Sequence, residues 1–166
     1  MQPFTQKYAI IQLFEHTPVD TLFSSSTWPL HSTIVDTFAT DWNLPTMIKK
    51  LTELLNTHTQ AISTVEDDRF FGENRQVQVA LLKKTDDLIK LHYDVIELLE
   101  QGGLKLNDPQ FSKEGFLPHS TAQSNARLIK GDHVTFNALS IIDFFPNENP
   151  YQRKVLATIP VGQNTL

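Results

Sequence analysis

The tripeptide His-Ser-Thr occurs twice in this chain of 166 residues, once in each half. The two copies are His31-Ser32-Thr33 and His119-Ser120-Thr121, and each follows closely on a proline, Pro29 or Pro118. In a β-strand, side chains two residues apart point to the same face of the sheet. Each copy therefore predicts a strand that presents an imidazole and a hydroxyl together. The pair predicts a fold built from two similar units that share one cleft.

Composition limits the weight that the spacing alone can carry. The chain has 6 His and 17 Thr, so about 0.6 His-x-Thr matches are expected by chance. A third match exists at His133-Val134-Thr135, but it lacks the preceding proline and apolar residue. We interpret His133 as the first residue of an ordinary strand and the other two copies as the functional pair.

The overall composition is that of an ordinary globular domain. Apolar residues make up 40% of the chain and charged residues 20%, and 166 residues are enough to bury one core. The chain has no cysteine, which excludes disulfides, a thiolate nucleophile and a cysteine zinc site. This usage fits a reducing compartment, so we expect a cytoplasmic protein.

The net charge and the hydropathy pattern of the chain restrict the kinds of partner that it can bind. The net charge of −5 argues against broad binding to a long duplex nucleic acid, which requires many neutralised phosphates. A small nucleotide or a single RNA end, held by a few local donors, stays compatible with it. The apolar run at residues 8–11 is too short for a signal peptide or a membrane span, so we expect no membrane association.

Hydrophobic periodicity predicts alternating strands and helices along the chain. We expect helices over 44–57 and 85–101, the second capped by Thr85 and ended by Gly102-Gly103. We expect strands over 7–14, 30–38, 61–65, 77–82, 134–144 and 153–160 and at the second His-Ser-Thr copy, a loop at 15–29, a loop with two aromatic residues at 67–72, and a short helical or irregular piece at 124–128. The two halves then follow similar orders, which predicts a duplicated α+β unit.

With these motifs in this order of elements, the chain resembles the two-histidine phosphoesterase superfamily, which includes bacterial 2′-5′ RNA ligase-like proteins and cyclic phosphodiesterases. The resemblance rests on Leu30-His31-Ser32-Thr33-Ile34 and on residues 116–122, and it extends over essentially the whole chain. It implies one bilobal domain over residues 1–166, with antiparallel sheets and outer helices around a central cleft. The catalytic residues it implies are His31, Thr33, His119 and Thr121.

The resemblance and the chemistry of histidine together predict a metal-independent phosphodiesterase with no cofactor. Near neutral pH one imidazole can act as general base and the other as general acid. The resemblance implies that His119 is the base and His31 the acid, while the threonine hydroxyls bind the phosphate oxygens. Expected substrates are 2′,3′-cyclic phosphates or 2′-5′ linkages in nucleotides or RNA ends, acted on by a monomer. Ligation by the same site, cleavage of cyclic oligonucleotide signals, and a non-catalytic nucleotide-binding module stay open as alternatives.

A few further residues are candidates for lesser roles. Phe70 and Phe71 could stack on a base, because every base has a π-face. Many relatives place a basic residue close behind the second motif, whereas here residues 123–125 intervene before Arg127, which is the candidate cation. Among the other histidines, we expect His58 to be solvated and His92 to lie at the boundary of a helix stripe.

Overall fold

The structure is a computed structural model that describes residues 7–123 and 126–162. Within these ranges the chain forms two long helices and ten strands. The helices are α1 (Leu44–Asn56) and α2 (Asp86–Glu100). The strands are β1 (Tyr8–Leu13), β2 (Leu22–Ser24), β3 (His31–Ala39), β4 (Ala61–Phe71), β5 (Val77–Leu82), β6 (Lys105–Leu106), β7 (His119–Thr121), β8 (His133–Phe136), β9 (Ala138–Asp143) and β10 (Gln152–Pro160).

The strands form two antiparallel sheets, and each sheet carries one His-Ser-Thr copy. The larger sheet has the order β2-β10-β9-β1-β3-β6, with the first copy on β3. The smaller sheet has the order β7-β5-β4-β8, with the second copy on β7. The predicted α+β fold with two antiparallel sheets is therefore confirmed.

Each sheet takes strands from both halves of the chain, so the sheets are not the sequential halves that the element order suggests. The reason lies in β1, whose residues Tyr8 to Ile11 are all buried. A strand buried on both faces belongs in the interior of a sheet. β1 accordingly pairs with β3 on one side and with β9, from the end of the chain, on the other.

The predicted loop at residues 67–72 is wrong, because β4 continues through it to Phe71. Residues Asp67 to Phe71 pair one by one with Leu81 to Val77 of β5, after a register shift next to Val65. Most of these residues are exposed, so this part of β4 has no buried face to produce an alternating pattern. The hairpin turn follows at Gly72, where the Arg75 amide donates to the Gly72 carbonyl over 3.1 Å.

Two other predicted segments also differ from the structure. The predicted strand 134–144 is divided at Asn137, where the chain passes from β8 in the small sheet to β9 in the large one. The predicted loop 15–29 contains the short edge strand β2, which pairs with β10. Of the piece predicted at 124–128, residues 124 and 125 lie outside the described ranges and 126–128 form no regular element.

Both helices are close to their predicted bounds, because their capping residues are readable in the sequence. The Asn43 side chain accepts from the Thr46 amide at the start of α1, and the Thr85 side chain accepts from the Leu88 amide at the start of α2. Both helices contribute their apolar stripes to the main core. No helix in the described part of the chain is long and apolar enough to cross a membrane.

His58 and His92 are both buried, contrary to the sequence-based interpretation. The His58 Nε2 atom lies 2.9 Å from Asp94 Oδ2, which joins the end of α1 to α2. His92 lies on α2, with its Nδ1 atom 2.7 Å from the carbonyl oxygen of Ile34 in β3, and its Nε2 atom accepts from the amide of Lys113 over 2.9 Å. Helical periodicity placed His92 on a boundary, and the position of His58 beside a loop indicated a solvated residue, but in both cases the partners come from other elements.

His92 is expected to stabilise the fold strongly in its neutral form. Its ring stacks on Phe116 with centroids 3.9 Å apart, and alanine would leave the Ile34 carbonyl and the Lys113 amide without their partner. We expect His92→Ala to lower the free energy of unfolding by about 2–4 kcal/mol, as measured by urea denaturation. His16→Ala, at an exposed histidine, should change it by less than about 0.5 kcal/mol.

The same residue predicts a dependence of stability on pH. Burial, and secondly the charge of Lys84, lower the pKa of His92, while the hydrogen bond to Ile34 opposes this. The unfolded chain therefore takes up this proton more readily than the folded one. The contribution is fully present above the unfolded pKa of about 6.5 and is lost as the pH falls below it. A His92→Ala variant with the same loss of stability between pH 7 and pH 5 as the wild type would contradict this account.

Candidate active site

The two His-Ser-Thr copies occupy the same position in their strands, at the start of each. His31 opens β3 and His119 opens β7, and in each strand the threonine follows two residues later. All four of these side chains are partly buried, whereas the serine between each pair is fully buried. The alternation of a strand therefore places each imidazole and its hydroxyl on one face, as the sequence predicts.

Both imidazoles are held by the same local hydrogen bond. The Nδ1 atom of His31 lies 2.8 Å from the carbonyl oxygen of Pro29, and that of His119 lies 2.7 Å from the carbonyl oxygen of Leu117. A carbonyl only accepts, so Nδ1 carries the proton in both rings. In the neutral imidazole this leaves the Nε2 lone pair free. Each ring can therefore take up or release a proton at Nε2 without losing its anchor.

An aromatic ring supports each imidazole. Trp28 stacks on His31 with centroids 4.7 Å apart and an interplanar angle of 30°. Phe71 meets His119 edge to face, with centroids 5.4 Å apart and an interplanar angle of 72°. The extension of β4 to Phe71 is what brings this second aromatic residue to the site. Both rings are thus limited in orientation by a neighbour as well as by a hydrogen bond.

The serines between the paired residues point into the protein. Ser32 and Ser120 are 0% and 1% exposed, and neither hydroxyl has a hydrogen-bond partner among the described residues. Because neither hydroxyl forms a hydrogen bond in the interior, replacing either serine with alanine removes no hydrogen bond. Because they are buried, the two serines have no access to a ligand in the cleft.

A cleft of about 710 Å³ lies between the two sheets and contains residues of both motifs. Thr33 lines it from β3 and His119 lines it from β7. Its volume is within the range of small-molecule sites, and its wall is mainly apolar and aromatic. The remaining lining residues are Ile34, Asp36, Phe70, Phe71, Gly72, Phe111, Phe116 and Leu117.

The two histidines also influence each other electrostatically. Burial lowers the pKa of His31 below its usual value, the hydrogen bond to the Pro29 carbonyl opposes this, and the charge of His119 lowers the pKa further. Like charges raise each other's energy only when they are near. The structure thus places the two imidazoles within electrostatic range, with His31 favoured in its neutral form.

The structure brings some of the predicted substrate-binding residues to the cleft and leaves one outside. Phe70 and Phe71 both line it, and Phe70 is 54% exposed. Arg127 does not line it, and instead its Nη1 atom lies 3.5 Å from Asp68 Oδ2. His133 begins β8 and its Nδ1 atom lies 2.9 Å from the Thr64 hydroxyl, as expected for a structural residue.

Sequence reasoning missed three residues of this site. Phe111 lies on a 3₁₀ turn in an irregular segment, and no local pattern connects it with the cleft. Asp36 lies on β3 and lines the cleft, although its position relative to Thr33 predicts the opposite face. Trp28 stands three residues before His31, and an aromatic residue that close to a candidate histidine was the one signal available.

The cleft residues form no evident metal centre. Across residues 7–123 and 126–162, no group of three or more histidine, aspartate or glutamate side chains is positioned to hold a metal ion. The ionisable side chains that line the cleft are Asp36 and His119. What these residues offer a ligand is proton transfer, hydroxyl donors and aromatic surface.

Known proteins resemble this chain in structure and not in sequence. No family profile and no curated protein sequence matches it. Escherichia coli LigT complexed with 3′-AMP aligns with 95% of this chain and 99% of its own, with a TM-score of 0.56 and 13% identity. A crystal structure of a phosphoesterase aligns with 95% of this chain and 99% of its own, with a TM-score of 0.56 and 14% identity. LigT complexed with phosphate aligns with 95% of this chain and 98% of its own, with a TM-score of 0.53 and 12% identity. As the resemblance to the two-histidine phosphoesterases predicts, the chain has the fold of LigT.

Proposed function

We propose that this protein is a metal-independent phosphodiesterase that cleaves 2′,3′-cyclic phosphate or 2′-5′ phosphodiester bonds in small nucleotides or RNA ends. One observation carries the proposal. Two histidines from different sheets each have Nδ1 bound to a backbone carbonyl two residues earlier and a threonine two residues later. His119 and Thr33 line one cleft, whereas His31 and Thr121 are not among its lining residues. His31 opens the strand that carries Thr33 and lies within electrostatic range of His119. This arrangement supplies two groups for proton transfer and two hydroxyl donors around a phosphate.

Hydrolysis needs one histidine in each protonation state. The neutral imidazole takes a proton from water at Nε2 while the water oxygen attacks phosphorus. The protonated imidazole gives its Nε2 proton to the ribose oxygen as the bond from that oxygen to phosphorus breaks. The two histidines thereby exchange protonation states, and solvent restores them for the next turnover.

The pKa direction favours one assignment of these roles. Burial favours neutral His31, and the neutral form is the one required of a general base. We therefore assign the base to His31 and the acid to His119, which is the reverse of the roles that the resemblance implies. The reverse of this reaction, catalysed by the same two histidines, would join RNA ends. The proposal therefore includes both cleavage and ligation at this site.

The walls of the cleft suit a small nucleotide. Phe70 and Phe71 offer exposed aromatic surface beside His119, and a base stacks readily on such a surface. LigT has been crystallised with 3′-AMP and with phosphate, which supports a nucleotide phosphate as ligand for a protein of this fold. Fold alone does not determine activity, so the site residues have to be tested directly.

The proposal treats residues 1–166 as one bilobal domain that acts as a monomer in the cytoplasm. The absence of cysteine from the sequence is compatible with that compartment. The net charge of −5 supports a small ligand over a long duplex nucleic acid.

The activity can be tested with the purified full chain. We expect turnover of 2′,3′-cyclic mononucleotides or 2′-5′-linked dinucleotides, followed by chromatography, with the same rate before and after dialysis against EDTA. Loss of turnover in EDTA that is restored by a divalent cation would contradict the metal-independent mechanism. Binding of nucleotides without turnover of any substrate in the panel would favour the non-catalytic binding module.

A further inference from the structure

Among the described residues, those that line the cleft include one acidic side chain and no basic side chain other than histidine. Asp36 lines it together with three aromatic residues, Phe70 and Phe71 from the other sheet and Phe111 from a 3₁₀ turn. Its carboxylate forms no ion pair with any residue in the described ranges, although its Oδ1 atom accepts from the Thr37 amide over 2.8 Å. A carboxylate free of counter-charge in this place repels a phosphate and attracts N–H donors.

A β-bulge is what turns Asp36 towards the cleft. Regular alternation would place it on the opposite face of β3 from Thr33, because the two residues are an odd number apart. In the pairing with β1, however, Ile10 lies opposite Val35 and Ile11 opposite Thr33, so β3 contains one extra residue between Thr33 and Val35. A second register shift follows between Val35 and Phe38, in the stretch that contains Asp36. Ile34 and Val35 both become buried, and Asp36 returns to the face of Thr33. Bulges beside active sites commonly redirect a side chain in this way.

Thr33 and Asp36 lie three residues apart on β3 and both line the cleft. Three residues of regular strand span about 10 Å, and the bulge shortens this span, so the two Cα atoms lie less than about 10 Å apart. Such a separation is compatible with the span from the phosphate to the base edge of one nucleotide. In the proposed function, Thr33 and the histidines hold the phosphate, so the base of the same nucleotide extends along the aromatic wall towards Asp36. Phe70 and Phe71 would then contact the face of the base, while the carboxylate meets its edge.

Resting on the proposed function for the position of the phosphate, we propose that Asp36 makes the cleft selective for guanine nucleotides. The Watson–Crick edge of guanine presents two adjacent donors, the N1–H and the N2 amino group, which match the two oxygens of a carboxylate. Adenine and cytosine present one donor beside an acceptor, and uracil presents one donor between two acceptors. A carboxylate satisfies both donors of guanine and faces at least one acceptor on each of the other bases.

Hypoxanthine provides the sharpest comparison, because it differs from guanine on this edge only by the missing amino group. We expect the wild type to cleave 2′,3′-cyclic GMP with a kcat/KM about tenfold or more above that for 2′,3′-cyclic IMP, the discrimination typical of a bidentate contact to a base edge. In Asp36→Asn and Asp36→Ala this ratio should fall towards one. Asp87→Asn removes a carboxylate from an exposed position on α2, outside the cleft, and should keep the wild-type ratio.

Equilibrium binding separates this inference from the proposed function. We expect 3′-GMP to bind the wild type about tenfold or more tightly than 3′-IMP in EDTA buffer, with the difference lost in Asp36→Asn. This result without turnover of any substrate would support the guanine site and overturn the catalytic proposal. Equal affinity and equal kcat/KM for the guanine and hypoxanthine ligands, or no binding of 3′-GMP at millimolar concentration, would overturn the guanine site.

Discussion

Replacing either His31 or His119 with alanine is expected to lower kcat by about 10²- to 10⁴-fold, the range attributable to a positioned general acid or base. Each ring is anchored at Nδ1 and has Nε2 free for proton transfer, and the two rings come from different sheets beside one cleft. His119 is the one histidine that lines the cleft in the described part of the chain, and its charge reaches His31. Steady-state kinetics on the best substrate of the panel measures the loss.

A substrate with an activated leaving group distinguishes the two roles. p-Nitrophenolate departs without a proton, so a p-nitrophenyl phosphodiester no longer needs the acid but still needs the base. We expect this substrate to restore most of the rate in His119→Ala and little of it in His31→Ala. If this substrate restored the rate in His31→Ala alone, His31 would be the acid and His119 the base, as the resemblance implies.

The pH profile gives a second readout of the same pair. A bell-shaped dependence of kcat/KM is expected, because one histidine must be neutral and the other protonated. The pKa of His31 lies below its usual value of about 6.5, so the rate should begin to fall on the acid side only below that pH. His119→Ala should retain the acid side of the profile and lose the alkaline side.

Matched controls exist within the repeated motifs themselves. Ser32→Ala and Ser120→Ala change buried residues whose hydroxyls have no partner among the described residues, so kcat should stay within about twofold of the wild type. His133→Ala tests the third His-x-Thr copy, which lies on β8, and should also retain activity. Turnover that persists at wild-type rate in both His31→Ala and His119→Ala would reject the catalytic assignment.

Removing the hydroxyl of Thr33 or Thr121 is expected to lower kcat by about 10²- to 10³-fold, as for the loss of one preorganised donor to a developing charge. Each threonine lies two residues after its histidine on the same strand face. Valine keeps the shape of threonine and removes only the donor. The loss should appear in kcat more than in KM, because the charge on the non-bridging oxygens grows in the transition state.

The third His-x-Thr copy again supplies the control for this experiment. Thr135→Val removes a hydroxyl from β8, outside the cleft lining, and should leave the rate within about twofold of the wild type. A Thr33→Val and a Thr121→Val variant that both retain the wild-type kcat would exclude the hydroxyls as transition-state donors. Retention of kcat with a raised KM would assign them to ground-state binding.

The parts of the fold that sequence predicted well depend on neighbours along the chain. The caps Asn43 and Thr85 bind amides three residues later, so the starts of both helices are readable without any tertiary information. The register of β4 is a different case. Its outer part lies in a hairpin with few buried residues, and nothing in the alternation of Asp67, Asp68 and Arg69 indicates pairing.

The burial of His92 on α2 could also not be predicted from residues that are neighbours along the chain. His92 looks polar in a helical pattern, yet its ring has a carbonyl partner on β3 and an amide partner in a distant turn. Such partners satisfy both ring nitrogens and make burial of the ring favourable. Only the packing of α2 against those elements brings them within reach.

The sequence by itself determined the chemistry of the candidate site. The alternation of His31 with Thr33 and of His119 with Thr121 is a local feature that a strand of any length reproduces. The carbonyl that anchors each histidine is also local, since it belongs to the residue two positions earlier, just before the strand begins. The tertiary structure decided what surrounds that chemistry. The meeting of two sheets formed the cleft, the extension of β4 delivered Phe71, and a bulge in β3 turned Asp36 into the cleft, because each of these depends on pairing between residues far apart in the chain.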